Sequence, residues 1–405
     1  MLALNAGSAT LKYRLDRAGE VLAAGQVERI GDARAQLARR GRDGEADHEV
    51  IGPVPDVATA VRLVLAMLPG APLHAVGHRI VHGGDRFTAP AVLDDRALVH
   101  LRELAPLAPL HNPAAVSGIE AAREAFPGVP QIGVFDTALH AGMPVPAHRY
   151  SLPADITAAH RIRRYGFHGI SHGYVARRTA EHLGRSLGEL CLVTLHLGNG
   201  ASAAAIHSGR SIDTSMGLTP LSGLIMGTRG GDVDAGVVFH LHRAAGLSIE
   251  EIEDLLTHGS GLKGLAGVSD MRDVHRRAAA GDGHAIEAIE TYCYRIRCCV
   301  GAYAAALGRL DGIVFTAGIG EHDPEVRARV CAGLAGFGVR LDTARNAAAT
   351  ALTQPRTISA DGSPVAVTVV PTDEEAEIVT RAREVLASAG GPVPGVVTAP
   401  ARRLR

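Results

Sequence analysis

Short apolar runs alternate with helical periodicity along nearly the whole chain, and no other feature constrains the fold as much. Strands that alternate with helices build α/β layers rather than a sandwich or a helix bundle. The runs that read as strands are Leu2–Leu4, Ala75–Val76 with Ile80–Val81, Ile132–Phe135, Leu192–Leu197, Ile313–Thr316 and Val365–Val370. The clearest helix is predicted from about Asp282 to Leu307, where Ile286, Ile289, Cys293, Ile296, Val300, Ala304 and Leu307 recur at helical spacing before Gly308 ends it. A second helix carries its start signal: Ser248 and Glu251 form a capping box, and Gly259 follows the last turn.

With 405 residues, 46% of them hydrophobic, the chain is long enough for two domains with substantial cores. The proline-containing stretch Met143–Pro153 lies between the strand ending at Phe135 and a new helical region, and it is the predicted crossing and hinge. From Gly391 onward there is glycine, proline and arginine but no periodicity, which predicts a frayed tail. Basic and acidic residues balance at 41 against 42 without a basic cluster, so neither nucleic acid nor an anionic membrane is an expected partner. Five cysteines without CxxC spacing argue against a disulfide scaffold and a four-cysteine zinc site. The first dozen residues lack the basic and apolar regions of a signal peptide, and Leu190–Gly209 is interrupted by Gly, Asn and His, so a cytoplasmic location is expected.

Two glycine turns follow strands. In the first, Asn5, Gly7, Ser8 and Thr10 could face a phosphate with backbone N–H groups or close an ordinary hairpin. In the second, Gly198, Gly200 and Ala203 fit a dinucleotide fingerprint, yet Ser208-Gly209 follows too soon for the phosphate-binding helix, so a hairpin with an Asn-Gly turn is predicted. The likeness of the two turns is compatible with two related halves or with chance. His168 and His172 are four apart, but Gly169 stands where a zincin needs its glutamate, which excludes that metal motif. Arg79 and Arg229 each lie among glycines, where a guanidinium could take up phosphate or carboxylate oxygens or simply be a solvated surface arginine.

A longer ordered series of motifs is present: NAGSATLK from Asn5, GHRIVHGG around Arg79, PLHNP around His111, VFDTALH around Asp136, RYGFHGISH around His168, HLGNG from His196, DTSMGLTPL from Asp213, MGTRGGD around Arg229, SDMRD around Asp270, AGIGE from Ala317 and PTDEE ending in the glutamates from Glu374. By these the chain resembles the acetokinase family, the acetate kinases and related short-chain acyl kinases. The resemblance implies an α/β fold of two duplicated ribonuclease H-like domains, of the actin and Hsp70 type, with a nucleotide cleft between them. It implies a first domain of 1–142 closed by 375–390, a second of 143–374 with the nucleotide site and the interface of a homodimer, and a flexible tail over 391–405. The implied reaction is reversible, magnesium-dependent phosphoryl transfer from ATP to acetate, giving ADP and acetyl phosphate, with manganese an alternative metal.

The same resemblance distributes roles. Asn5 and Glu374 would hold the metal. Lys12, His196, Leu197, Gly198, Asn199, Gly200, Asp270, Met271, Arg272, Gly318, Ile319, Gly320, Glu321 and His322 would bind the nucleotide. Arg79 and Arg229 would bind the acetate or acyl phosphate, His168 would stabilise the transferred group, and Asp136 would be the active-site carboxylate. Val81, Leu110, His111, Phe167 and Pro220 would contact the acid. Departures from the family pattern stand at His322, Asp373, Gly230 and Ser222. Acetate is already ionised near neutral pH, so Asp136 is expected to position an arginine, a histidine or the metal rather than to act as a base. Alternatives are a propionate or pyrophosphate-using kinase, a non-kinase ATPase switch and a Rossmann oxidoreductase.

Overall fold

The computed structural model describes residues 1–7, 9–40, 46–68, 73–109 and 111–388; Ser8, Leu110 and the tail over 391–405 lie outside them. The chain divides into two compact units, one of Met1–Leu139 with the segment that begins at Asp373, the other of His140–Thr372.

The first unit holds strands β1 Leu2–Ala6, β2 Thr10–Arg17, β3 Glu20–Glu28, β4 Ala35–Arg40, β5 Ala46–Gly52, β6 Val76–Ile80, β7 Ala91–Val92 and β8 Gln131–Phe135, in the spatial order β5-β4-β3-β2-β1-β6-β8-β7. The second holds β9 Cys191–Leu197, β10 Ala201–His207, β11 Arg210–Thr214, β12 Gly312–Thr316, β13 Arg356–Thr357 and β14 Ala366–Val369, in the order β11-β10-β9-β12-β14-β13. In each unit a leading antiparallel meander, β1-β2-β3 or β9-β10-β11, is followed by two strands that continue the sheet in parallel from its first strand, β6 and β8 or β12 and β14. An antiparallel edge strand then closes each, β7 against β8 and β13 against β14. This repeated order, including direction, is the duplicated α/β architecture that the family resemblance implies, and it decides between the two readings of the similar turns in favour of related halves.

The second glycine turn is a hairpin. Ala201 pairs with Leu197 in the antiparallel β9–β10 ladder, and Ala203–Ile206 continue as strand, so no phosphate-binding helix follows and the dinucleotide reading falls. The predicted helix runs from Gly283 to Leu307, with Ile289, Cys293, Ile296, Val300 and Leu307 buried and Gly308 in the left-handed region at φ 69°. Ile286, predicted on the same stripe, is exposed. Both hydrogen bonds of the Ser248/Glu251 capping box form. The sequence pattern did not anticipate β3, β4 and β5, whose charged and small residues lack a clean alternation of period two.

The core of the first unit joins Leu2, Leu4, Leu11 and Leu15 of the sheet to Val57, Val61 and Val64 of the helix Val57–Met67. Each such side chain contributes about 1.5–3 kcal/mol by leaving water. The last described helix, Glu374–Ser388, returns to cover β1, β6 and β8. It comes so close over Gly77 that a Cβ there would lie 2.6 Å from Ile378 Cγ2. Charge fixes both ends of this helix to β2: Arg14 donates to Asp373 at 2.7 Å, and Arg383 donates to Asp16 at 2.5 Å.

Candidate active site

In the first unit, adjacent strand ends bring together residues distant in sequence. Asn5 and Arg79 each lie one residue before the end of their strands, β1 and β6, while Asp136 directly follows β8 and gives its backbone N–H to Ile80 O at 2.9 Å. Parallel pairing of β1 with β6 and of β6 with β8 makes these positions neighbours. Arg79 donates from Nη2 and Nε to Asp136 Oδ2, at 2.7 and 3.1 Å, and from Nη1 to Asn5 Oδ1 at 3.3 Å. Asn5 Nδ2 donates to Glu374 Oε2 at 2.9 Å and to Glu375 Oε1 at 2.6 Å. Burial opposes the Arg79 charge, but Asp136 and Glu374 outweigh it and hold the guanidinium more firmly protonated than usual.

Glu375 was not among the predicted residues; burial, and Glu374 beside it, push its carboxyl up. Among the described residues no group of three or more His, Cys, Asp or Glu gathers as a metal cage. Two adjacent carboxylates are nevertheless a hard oxygen donor set that fits magnesium, which completes its shell with water and substrate phosphate. Asn5 turns its N–H to these glutamates and its oxygen to Arg79, so it orients the carboxylates. Lys12 stands opposite Asn5 in the β1–β2 ladder, in the acidic surroundings of Glu375 and apart in the chain from the other predicted nucleotide residues.

The loop after Arg79 is pinned from two sides. Asn112 accepts from His82 N at 3.2 Å and donates to His82 O at 3.0 Å, and Thr137 Oγ1 accepts from Gly83 N at 3.0 Å. Val81 is buried there, and His111 supplies the N-cap position of the helix Asn112–Ala125. Asn112 is a buried positioning residue that the PLHNP motif contains but that residue type alone did not single out.

In the second unit the hairpin turn Gly198–Gly200 is closed by Gly198 N donating to Gly200 O at 3.0 Å. Arg229 and His168 converge on it: a Cβ on Gly200 would lie 2.9 Å from Arg229 Nη2 and 3.5 Å from His168 Nε2. Arg229 donates to Pro220 O at 2.6 Å, and among the described residues no carboxylate pairs with it. Burial alone pulls its pKa down from the usual arginine value. His168 takes φ 56° at the N-cap of the helix Gly169–Leu183, just after the buried Phe167, and stacks on His196 with centroids 4.2 Å apart.

Next to the same turn is a cavity of about 850 Å³. Its walls include Gly198, Asn199, Asp270, Met271, Arg272, Gly318, Ile319 and His322, for which the family resemblance implies a nucleotide. Asp270 caps the helix Met271–Ala279 and pairs with Arg272 at 2.5 Å. Leu197 and Gly320 are buried behind the wall. Glu321 acts as a brace, accepting from Ala317 N at 2.8 Å and from Thr372 N at 3.0 Å. The structure adds His275, whose Nε2 meets Asp323 Oδ2 at 2.7 Å on the cavity wall.

The Acetokinase family model matches residues 1–380. An acetate kinase of Leifsonia xyli subsp. xyli is 50% identical over 397 residues, an alignment covering 96% of this chain and 99% of that protein. The crystal structure of Porphyromonas gingivalis acetate kinase superposes with a TM-score of 0.88 at 40% identity, over 95% of this chain and 99% of that one. A propionate kinase from Francisella tularensis subsp. tularensis superposes with a TM-score of 0.85 at 34% identity, over 94% of this chain and 98% of that one.

Proposed function

This chain belongs to the acetokinase family, and from that membership we propose that it is an acetate kinase, transferring the γ-phosphoryl group of ATP to acetate reversibly and directly. The observation that carries the reading is the convergence of Arg229, with no carboxylate partner among the described residues, and His168 on the side-chain-free Gly200. An unpaired guanidinium held near an imidazole is a preorganised receptor for charge that appears only when an anionic group is in transfer.

A carboxylate attacking a polyanionic phosphate meets like-charge repulsion. Arg79 and Arg229 neutralise that charge, His168 donates to the transferring oxygens, and the 850 Å³ cavity takes the nucleotide. Asp136 holds two guanidinium nitrogens of Arg79 and so orients it; the acid needs no base. Glu374 and Glu375 would hold a magnesium ion, oriented by Asn5. When bound, that ion supplies charge neutralisation and alignment of the phosphate oxygens.

The exposed Val237, Phe239, Ile249, Leu255 and Tyr294 on helices of the second unit support a homodimer built on that unit. No helix among the described residues is long and apolar enough to cross a membrane. That fits a cytoplasmic enzyme.

Hydroxamate trapping of acyl phosphate from ATP and magnesium, with acetate, propionate and butyrate in parallel and Arg229→Ala as control, tests the reading. An acid-dependent signal lost in the control supports it, and silence with every acid refutes it. Propionate is the second reading, supported by the likeness to a propionate kinase structure; one methylene changes selectivity by only about 1–3 kcal/mol.

A further inference from the structure

Arg327 lies on the helix Pro324–Cys331 and is fully buried. A guanidinium carries five N–H donors, and here every one of them meets an uncharged oxygen. Nε donates to Asn346 Oδ1 at 2.8 Å, Nη1 to Gly320 O and Glu321 O at 2.9 Å each, and Nη2 to Asn346 O and Ala349 O at 2.9 Å each. Among the described residues none of its hydrogen-bond partners is a carboxylate. Burial pulls its pKa down to about 10 against the opposing charge of Asp323, so the side chain is still a cation at neutral pH.

A hydrocarbon would fill the same space without the cost of burying a charge. What the arginine adds is a fork that reaches two chain ends at once. Gly320 and Glu321 lie in the last turn of the helix Ala317–His322, while Asn346 and Ala349 end the helix Thr343–Ala348. Carbonyls in the last turn of a helix have no partner within it and carry partial negative charge, which suits a cation. Asn346 completes the tie, its Nδ2 donating to Pro324 O at 2.8 Å where the helix of Arg327 begins.

The helices Ala317–His322 and Pro324–Cys331 together form one wall of the cavity of about 850 Å³, with Gly318, Ile319 and His322 from the first and Pro324 and Glu325 from the second. The first helix cannot hold its own position. It has six residues, two of them glycine, and is entered through Ala317 at φ 64°, a left-handed conformation unfavourable for a residue with a Cβ. Its placement is therefore imposed from outside, by Glu321 accepting from Ala317 N at the start and by Arg327 at the end. The segment that accepts from Arg327 at Ala349 also returns to the wall, Ala351 N donating to His322 Nδ1 at 3.3 Å.

We propose that Arg327, with Asn346, is a positioning residue for nucleotide binding, holding the helix Ala317–His322 in register with the helix Pro324–Cys331 and so setting the shape of the wall against which the nucleotide lies. The inference rests on the acyl-kinase reading only in taking an adenine nucleotide as the occupant of that cavity. Both residues are buried and neither lines the cavity, so they act through the wall. Arg229 is held by a separate contact, to Pro220 O. Loss of Arg327 should accordingly fall on the nucleotide and spare the acid.

Calorimetric titration of the full chain with ADP, alongside initial rates in the acyl phosphate assay, tests this. Arg327→Met, which keeps the bulk but not the donors, should weaken ADP binding about tenfold and raise the KM for ATP by a similar factor, with the KM for acetate unchanged and most of kcat regained at saturating ATP. Arg327→Lys, which keeps the charge and part of the reach, should recover some of that loss. If Arg327→Met shows no cooperative unfolding in urea, Asn346→Ala is read in its place; it removes one acceptor from Arg327 and the tie to Pro324 O, and should weaken ADP binding in the same direction by a smaller factor. A cooperatively folded variant that binds ADP as tightly as the parent overturns the proposal. So does a KM for acetate that rises in parallel with that for ATP, and so does a parent that binds no ADP. If ADP binding depends on Arg327 but no acid yields acyl phosphate, the kinase reading fails while the positioning role stands.

Discussion

Arg79 and Arg229 lie in loops of similar composition, each among glycines, yet their surroundings are opposite. Arg79 sits near a strand end with Asp136 on the neighbouring strand end, and its three donor nitrogens are taken by Asp136 and Asn5. Arg229 lies away from strands in a loop where Met226 N donates to Arg229 O at 3.1 Å, and its guanidinium has a backbone carbonyl for a partner. The first arginine is oriented by charge already present; the second is oriented by shape and leaves its charge available. A family motif does not distinguish the two, because the difference lies in what the sheet places beside each.

The largest expected effect separates them most sharply. Arg79→Ala removes the partner of a nearly fully buried Asp136, which should cost about 3–5 kcal/mol of folding stability in urea titration in addition to lost turnover. Arg229→Ala should lower kcat by about 10²–10³, or about 2.7–4 kcal/mol, while the urea midpoint stays near that of the parent. Equal destabilisation by the two substitutions would abolish the distinction. Asp136→Asn should reduce kcat strongly without changing the shape of its pH profile, and its cost should shrink in an Arg79→Ala background, with a coupling of about 0.5–3 kcal/mol. Loss of an acidic limb in Asp136→Asn would instead mark it as a proton carrier.

Smaller perturbations sharpen the second-unit half. Gly200→Ala places a methyl where Arg229 and His168 converge, and a displaced donor should lower kcat about tenfold with little change in melting temperature. The smallest expected effect concerns His275, whose hydrogen bond to Asp323 raises its pKa. A raised folded value means that its stabilisation is complete below the unfolded pKa and is lost as pH rises through the folded one. The stability difference between the parent and His275→Gln, about 0.2–1 kcal/mol for so partly exposed a pair, should therefore be present at acid pH and vanish in alkali.

Much of the architecture was legible because the central strands are apolar and short. Leu192–Leu197 and Ile313–Thr316 are buried parallel neighbours, and such strands read as continuous apolar runs. The meander extension β3-β4-β5 was not legible, since Arg39, Asp47 and Glu49 form an exposed ion-pair cluster instead of a hydrophobic face. The ordered motifs pointed to Arg79, Asp136, His168 and Arg229. They did not single out Asn112, Ser202, His172 as a hydrogen-bond intermediary, or His275, because the contribution of each depends on a partner far away in sequence. Ser202 Oγ is hydrogen-bonded to His168 and His172, residues 34 and 30 positions earlier, a relation that exists only once β10 lies beside the helix Gly169–Leu183.

The helix Glu374–Ser388 belongs to the unit that also contains β1, and this has a consequence during synthesis on the ribosome. The opening sheet emerges early but cannot gain its cover over Gly77, nor the carboxylates Glu374 and Glu375 beside Asn5, until the whole of His140–Thr372 has been translated. At the usual pace of translation that wait is on the order of tens of seconds. A nascent chain stopped short of Asp373 would contain every arginine and histidine named above and still be unable to assemble Asn5 with its glutamates.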